Sequence, residues 1–162
     1  MRAPMLAAGV MLALAACAEA PAPTGVSSGS PTPQLGYDWF FHDDGAEAQL
    51  AYGVAESDDV PISLSCLRGA GQISILVPAP DDAPSEIYLE SGGETERWPA
   101  ASEPSQLHDG VYLTAVAAAD APVLQRFRRE GWLALWQDGE RHAYASHPGS
   151  ADGIGSFFTV CG

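Results

Sequence analysis

Lysine does not occur in this chain. All seven basic residues are arginines, against 21 aspartates and glutamates, and the formal charge is −14. Such a surface repels phosphate, which argues against nucleic acid as a partner. It also offers no basic patch for lying flat on anionic lipid. The plain reading is a solvated acidic surface; the sharper one is attraction to a cationic protein or to divalent ions. Catalytic signatures are missing as well. No Gly-x-Ser-x-Gly elbow occurs, and Gly149-Ser150-Ala151-Asp152-Gly153 has its serine misplaced. Gly69-Ala70-Gly71 lacks the third glycine of a phosphate loop and precedes a strand pattern instead of a helix. Cysteine is scarce, with three residues and no Cys-x-x-Cys. The four histidines form no metal-ligand spacing: His142 and His147 lie too far apart for one helical face, and His42-Asp43-Asp44 runs into Gly45 without completing a calcium loop. His42-Asp43-Asp44 and His108-Asp109-Gly110 both read as polar turns. No catalytic, cofactor or metal site is assigned.

One long apolar run is present, and it is N-terminal. Arg2 precedes an uncharged stretch from Met5 to Ala16, too short for a permanent membrane span but organised like an export leader. The stretch ends Leu14-Ala15-Ala16-Cys17, which resembles the lipobox of bacterial lipoproteins residue by residue. That resemblance implies cleavage before Cys17 and acyl chains on its sulfur and new amino group. Two or three chains anchor stably, at roughly 0.8 kcal/mol per buried methylene. Alanine at position 18, where aspartate signals inner-membrane retention, implies an outer-membrane anchor facing the periplasm. Loss of Arg2 with the leader leaves the mature chain one unit more negative.

The chain therefore divides into a signal peptide (1–16), a lipidated Cys17 with a Pro/Ala/Ser-rich tether (17–34), and one globular domain (35–162). Hydrophobic residues make up 46% of the sequence, enough to fill a core. Tyr37–Phe41 and Gln49–Val54 are candidate opening strands. Ile62-Ser63-Leu64-Ser65-Cys66 alternates strictly, and after the Gly69–Gly71 turn Ile73, Ile75 and Val77 return on one face, predicting a β-hairpin. Ile87–Leu89, Glu94–Trp98, Val111–Val116, Trp132–Trp136 and Arg141–Ser146 read as further strands.

A first helix is expected from Pro122, capped by Asp120, with Val123, Leu124 and Phe127 buried and Gly131 closing it. Arg126, Arg128 and Arg129 suit its dipole. A second helix, capped by Ser150 or Asp152, carries Ile154, Phe157, Phe158 and Cys161 as one apolar stripe. The expected fold is α+β: a largely antiparallel sheet or small β-sandwich with two short helices, the C-terminal one tied to the sheet. With lipid on Cys17, Cys66 and Cys161 remain as an even pair on core-facing positions of an exported chain, which predicts a disulfide.

In layout the domain, from about Asp38 to Gly162, resembles small uncharacterised proteobacterial lipoproteins with one strand cysteine and a Phe-Phe-x-x-Cys-Gly tail, here Phe157 to Gly162. The expectation is a non-enzymatic binding or accessory module, with an envelope protein as a candidate partner. Membrane-bound lysozyme inhibitors are similar in size, lipidation and disulfide pattern. They present a Ser-Gly turn to a basic enzyme, to which Ser91-Gly92 would correspond, although the following tyrosine is absent (Trp98 comes later) and Gly131-Trp132 lacks the lysine-glycine continuation. A hydrolase with an unrecognised site is the remaining class.

Overall fold

The computed structural model describes residues 29–106 and 108–162. The leader, Cys17 and most of the tether lie outside the described residues, so the lipobox expectation is not reached by the fold. The order of elements is β1 (Tyr37–Asp43), β2 (Glu47–Val54), β3 (Ile62–Leu67), β4 (Gln72–Ala79), β5 (Glu86–Ser91), β6 (Glu94–Pro99), β7 (Ala101–Pro104), β8 (Val111–Ala118), α1 (Pro122–Glu130), β9 (Trp132–Gln137), β10 (Glu140–Ala145) and α2 (Ala151–Cys161). They form the expected α+β architecture: a six-stranded sheet ordered β1-β2-β3-β4-β8-β7 and a four-stranded sheet ordered β10-β9-β5-β6. Every pairing is antiparallel.

Alternation decides which face is dry. Leu50 and Tyr52 on β2, Ile62 and Leu64 on β3, and Ile73, Ile75 and Val77 on β4 are buried, while the serines between them on β3 and β4 are half-exposed. The small sheet sends Ile87, Leu89, Leu133 and Leu135 into the same core, and the helices add Phe127, Phe157 and Phe158. Trp39 packs at 4.7 Å from Phe127 and 5.3 Å from Tyr52, within the range of favourable aromatic pairs.

Two edges of the sandwich are joined. Only Ala100 separates β6 from β7, so one chain segment leaves the small sheet and enters the large one. At the far side the Trp39 indole Nε1 donates to the Tyr144 carbonyl at 3.2 Å, linking β1 to β10. Sequence reading missed β7. Its residues Ala101-Ser102-Glu103-Pro104 are all exposed on a sheet edge and carry no apolar alternation, so pairing with β8 alone defines them.

The helices keep their predicted buried faces, and Ser150 and Gly131 their predicted cap positions, but Asp120 does not cap and neither N-cap makes a side-chain bond. Ala121, not Asp120, is the N-cap of α1, with Pro122 in the first turn and no side-chain cap bond. Pro122 has no N–H to satisfy, which lessens the demand for one. Gly131 closes α1 in the left-handed region at φ 73° and donates to the Phe127 carbonyl. At α2 the Ser150 hydroxyl is diverted to the Asp38 carboxylate (2.5 Å) and the His147 carbonyl (2.9 Å) and caps nothing. Asp152 stays in the first turn, where the dipole favours it. The far end of α2 is satisfied from outside: the N–H groups of Gly69 and Gly71, in the β3–β4 turn, donate to the carbonyls of Val160 and Cys161. The Cys66–Cys161 disulfide joins the same places, with Cα atoms 5.6 Å apart.

Candidate binding cleft

The ladder between β5 and β9 is short. It holds Tyr88 opposite Trp136, Leu89 opposite Leu135 and Glu90 opposite Ala134, and stops there. Beyond Tyr88, Ile87 and Glu86 stay with β6, opposite Trp98 and Pro99, whereas Gln137 stays with β10, opposite Glu140. The two halves of the small sheet part, and a cleft of about 200 Å³ opens at that end. Its floor is the buried Leu135 together with Val77 and Leu113 of the large sheet. Tyr88 and Trp136, stacked on each other, form one wall; Ala83, Pro84 and the Gln137-Asp138-Gly139 turn form the mouth, with Glu86 and Arg97. The Gln137 amide donates to the Pro78 carbonyl at 3.3 Å and spans the two sheets beside the cleft.

This wall is held in place by one row of side chains across the small sheet. Register sets Arg97 beside Tyr88, Tyr88 beside Trp136, and Trp136 beside Arg141. The Arg97 guanidinium lies 4.0 Å from the centre of the Tyr88 ring, and Tyr88 stacks on Trp136 with centroids 6.0 Å apart. Arg97 also pairs with Glu86 at 2.5 Å. Beneath the row sits Glu90, only 1% exposed although it points away from the main core. It accepts the Trp136 indole N–H at 2.8 Å and both arms of the Arg141 guanidinium at 2.8 and 3.0 Å. A buried carboxylate is tolerated only when paired and hydrogen-bonded, and here all three donors converge on it. The cleft wall is thus preformed. The lining contains no imidazole, thiol, lysine or aliphatic hydroxyl; its polar side-chain groups are two carboxylates, one guanidinium, one amide, a phenol and the Trp136 indole N–H.

Most residues singled out by sequence fall elsewhere. Cys66 and Cys161 are joined as expected, remote from the cleft. Asp43 and Asp44 are used up in a turn, accepting the N–H groups of Gly45, Ala46 and Glu47. These backbone donors, joined at Asp43 by Arg68, hold both carboxyls below the usual carboxylate range. The His108 ring meets the Asp109 carbonyl in the turn before β8. Among the described residues, no three His, Cys, Asp or Glu side chains form a group able to hold a metal.

Ser91, expected to be presented in a Ser-Gly turn, is instead fully buried, and its hydroxyl donates to the Trp132 carbonyl at 2.8 Å. Ser91 continues the inward face of Ile87 and Leu89; the departure from alternating burial is at Glu90, which is inaccessible on the opposite face. Asp38, His147 and Ser150 do come together, in the residue types of a catalytic triad. The geometry is different, because Asp38 accepts the His147 backbone N–H and the Ser150 hydroxyl, while the imidazole Nε2 meets the Gln34 carbonyl at 3.2 Å. This network ties α2 to β1, with the imidazole outside the Asp38–Ser150 hydrogen bond.

The chain enters the domain at the opposite pole from the cleft. Pro31 and Pro33, assigned to the tether by composition, are half-buried, and Ser30 lies in a shallow hollow with Gly92, Gly93, Glu130 and Trp132. Trp132 begins β9 and Gln137 ends it, a separation of roughly 17 Å at about 3.3 Å per residue.

Sequence reasoning missed the cleft, although one signal pointed to it. With Leu133 and Leu135 facing the core, alternation sets Trp132 and Trp136 on the outward face, and large aromatics there call for an explanation. Comparison with protein-family models, curated proteins and solved structures finds no match to this chain.

Proposed function

We propose that this protein is a lipid-anchored envelope module that binds rather than catalyses, and that its cleft seats one apolar side chain of a partner protein. The observation that carries the reading is the cleft itself: an apolar floor beside a preformed wall of stacked Tyr88 and Trp136, its acid–base groups being the carboxylates at the mouth and the Tyr88 phenol. Its volume of about 200 Å³ lies below the roughly 300–1,000 Å³ of sites for drug-sized molecules. It is closer to a pocket for a single anchor residue, the usual centre of a protein–protein hot spot. An aromatic anchor burying roughly 150–250 Å² gains about 4–6 kcal/mol gross, at about 25 cal/mol per Å².

The lipobox Leu14-Ala15-Ala16-Cys17 supports the anchor, and the distance between the Ser30 entry and the Gln137–Gly139 mouth supports a cleft turned away from the membrane. The inhibitor alternative loses the exposed serine that suggested it. The test is a photo-reactive amino acid at position 138, compared with one at Gln49 on the outer face of the large sheet, in intact cells. One discrete adduct is expected from position 138 and none from Gln49. Equal labelling, or none at 138, rejects the reading. Mass spectrometry of the amino-terminal peptide tests the acylation of Cys17 independently.

A further inference from the structure

We infer that the side chain seated in the cleft belongs to a basic segment, an aromatic residue flanked by Lys or Arg; this rests on the cleft's being the binding site. Two loops frame the mouth. One contributes Ala83 and Pro84 and is preceded by Asp81 and Asp82; the other contributes Asp138 and Gly139 and is followed by Glu140. Asp81, Asp82, Asp138 and Glu140 are all exposed, and none has an ion-pair partner among the described residues.

The nearby cations are already engaged. Arg97 is held by Glu86 and by the Tyr88 ring, and Arg141 by Glu90. The mouth therefore keeps uncompensated negative charge on both loops around an apolar floor. A neutral apolar anchor would fill the cleft without using that charge. An acidic segment would meet like charge from both loops, whereas a segment with basic residues either side of the anchor answers floor and rim together. Arg141 and Arg97 do not compete for the rim carboxylates, because Glu90 holds the first and Glu86 with the Tyr88 ring holds the second.

The experiment uses the full-length chain with Cys17→Ser, so that no acyl group enters the cleft, and three blocked tripeptides: Lys-Phe-Lys, Glu-Phe-Glu and Lys-Ala-Lys. Binding is read from the amide shifts of Gln137, Asp138 and Gly139 and from the indole N–H shift of Trp136. Lys-Phe-Lys is expected to bind at least about 10-fold more tightly than either other peptide at low salt. The advantage over Glu-Phe-Glu should shrink several-fold in about 1 M salt, where screening acts within roughly 3 Å. Asp138→Asn, which keeps a residue tolerant of the positive φ at this position, should weaken Lys-Phe-Lys by about 2- to 5-fold.

Equal binding of Lys-Phe-Lys and Glu-Phe-Glu, both above Lys-Ala-Lys, overturns the basic-segment inference and leaves the cleft as an anchor site. Equal binding of Lys-Phe-Lys and Lys-Ala-Lys shows attraction by charge alone and overturns both. No shift with any peptide also overturns both.

Discussion

Breaking the Cys66–Cys161 bond should destabilise the fold without changing it. The bond closes a loop spanning 95 residues, from the end of β3 through α2, with β1, β2 and most of β3 outside it. In the chain-entropy account, releasing that loop returns about 4.7 kcal/mol of freedom to the unfolded state at 25 °C. Against a typical total of about 5–15 kcal/mol, this is between a third and nearly all of the stability. The native state has little reason to rearrange. Gly69 and Gly71 still donate to the carbonyls of Val160 and Cys161, and Ile154, Phe157 and Phe158 stay buried on the sheet.

The cleanest perturbation is reduction of the wild-type protein, which keeps both sulfur atoms and leaves no cavity. Cys66→Ala/Cys161→Ala serves as a second form, with an added small packing loss at the fully buried Cys161. Urea unfolding, followed by tryptophan fluorescence and far-ultraviolet circular dichroism, should give a loss of about 4–5 kcal/mol with native spectra unchanged before the transition. A loss under about 1 kcal/mol would mean that the reduced unfolded chain stays compact, and would refute the argument. Selective loss of hydrogen-exchange protection in α2, with the sheets unaffected, would refute it differently, by showing that the bond holds the helix in the native state.

Glu90→Leu should cost about 3–5 kcal/mol, because it leaves the largely buried Arg141 guanidinium without a counter-charge. Glu90→Leu/Arg141→Leu should recover most of that in denaturant unfolding; a single-variant loss below about 1 kcal/mol counts against the pair as organiser of the row. Gly110→Ala should lower the melting temperature sharply, since position 110 has φ +117° and a Cβ there would meet the Ala79 carbonyl oxygen at 2.3 Å, whereas Gly149→Ala, in open space, should be nearly neutral. Burial raises the phenol pKa values of Tyr52 and Tyr144, aided by the charge of Asp38 at the first and by Tyr52 at the second. Their folded values lie above the unfolded value near 10, so the stabilisation is full below about pH 10 and is lost as pH rises through the folded values. An absorbance titration at 295 nm should show these two phenols ionising only with unfolding; early ionisation of all five tyrosines would contradict the burial.

Legibility followed the range of the signal. The hairpin of β3 and β4 was readable because a two-residue period lies entirely within Ile62–Val77. The stripe on α2 was readable for the same reason at helical spacing. Ser150 holds the expected N-cap position of α2, but the loss of its side-chain cap bond was not legible, because Asp38 takes the hydroxyl across more than a hundred residues of chain. The expectation for Ser91 failed because β5 runs on through it, placing it on the inward face of Ile87 and Leu89, where the distant Trp132 carbonyl receives its hydroxyl. The cleft was not readable at all. Its lining is drawn from five strands and two loops, and its existence depends on where the β5–β9 ladder stops.

By itself, then, the sequence determined the acidic composition, the lipobox-like run ending at Cys17, the alternation that builds the strands and the two apolar helix faces. Each of these is a property of composition or of neighbours within a few turns of chain. The tertiary structure alone decided the separation of β5 from β9, the Arg97-Tyr88-Trp136-Arg141 row and the burial of Glu90. Those depend on register between strands distant in sequence, and register is set by the whole core packing at once.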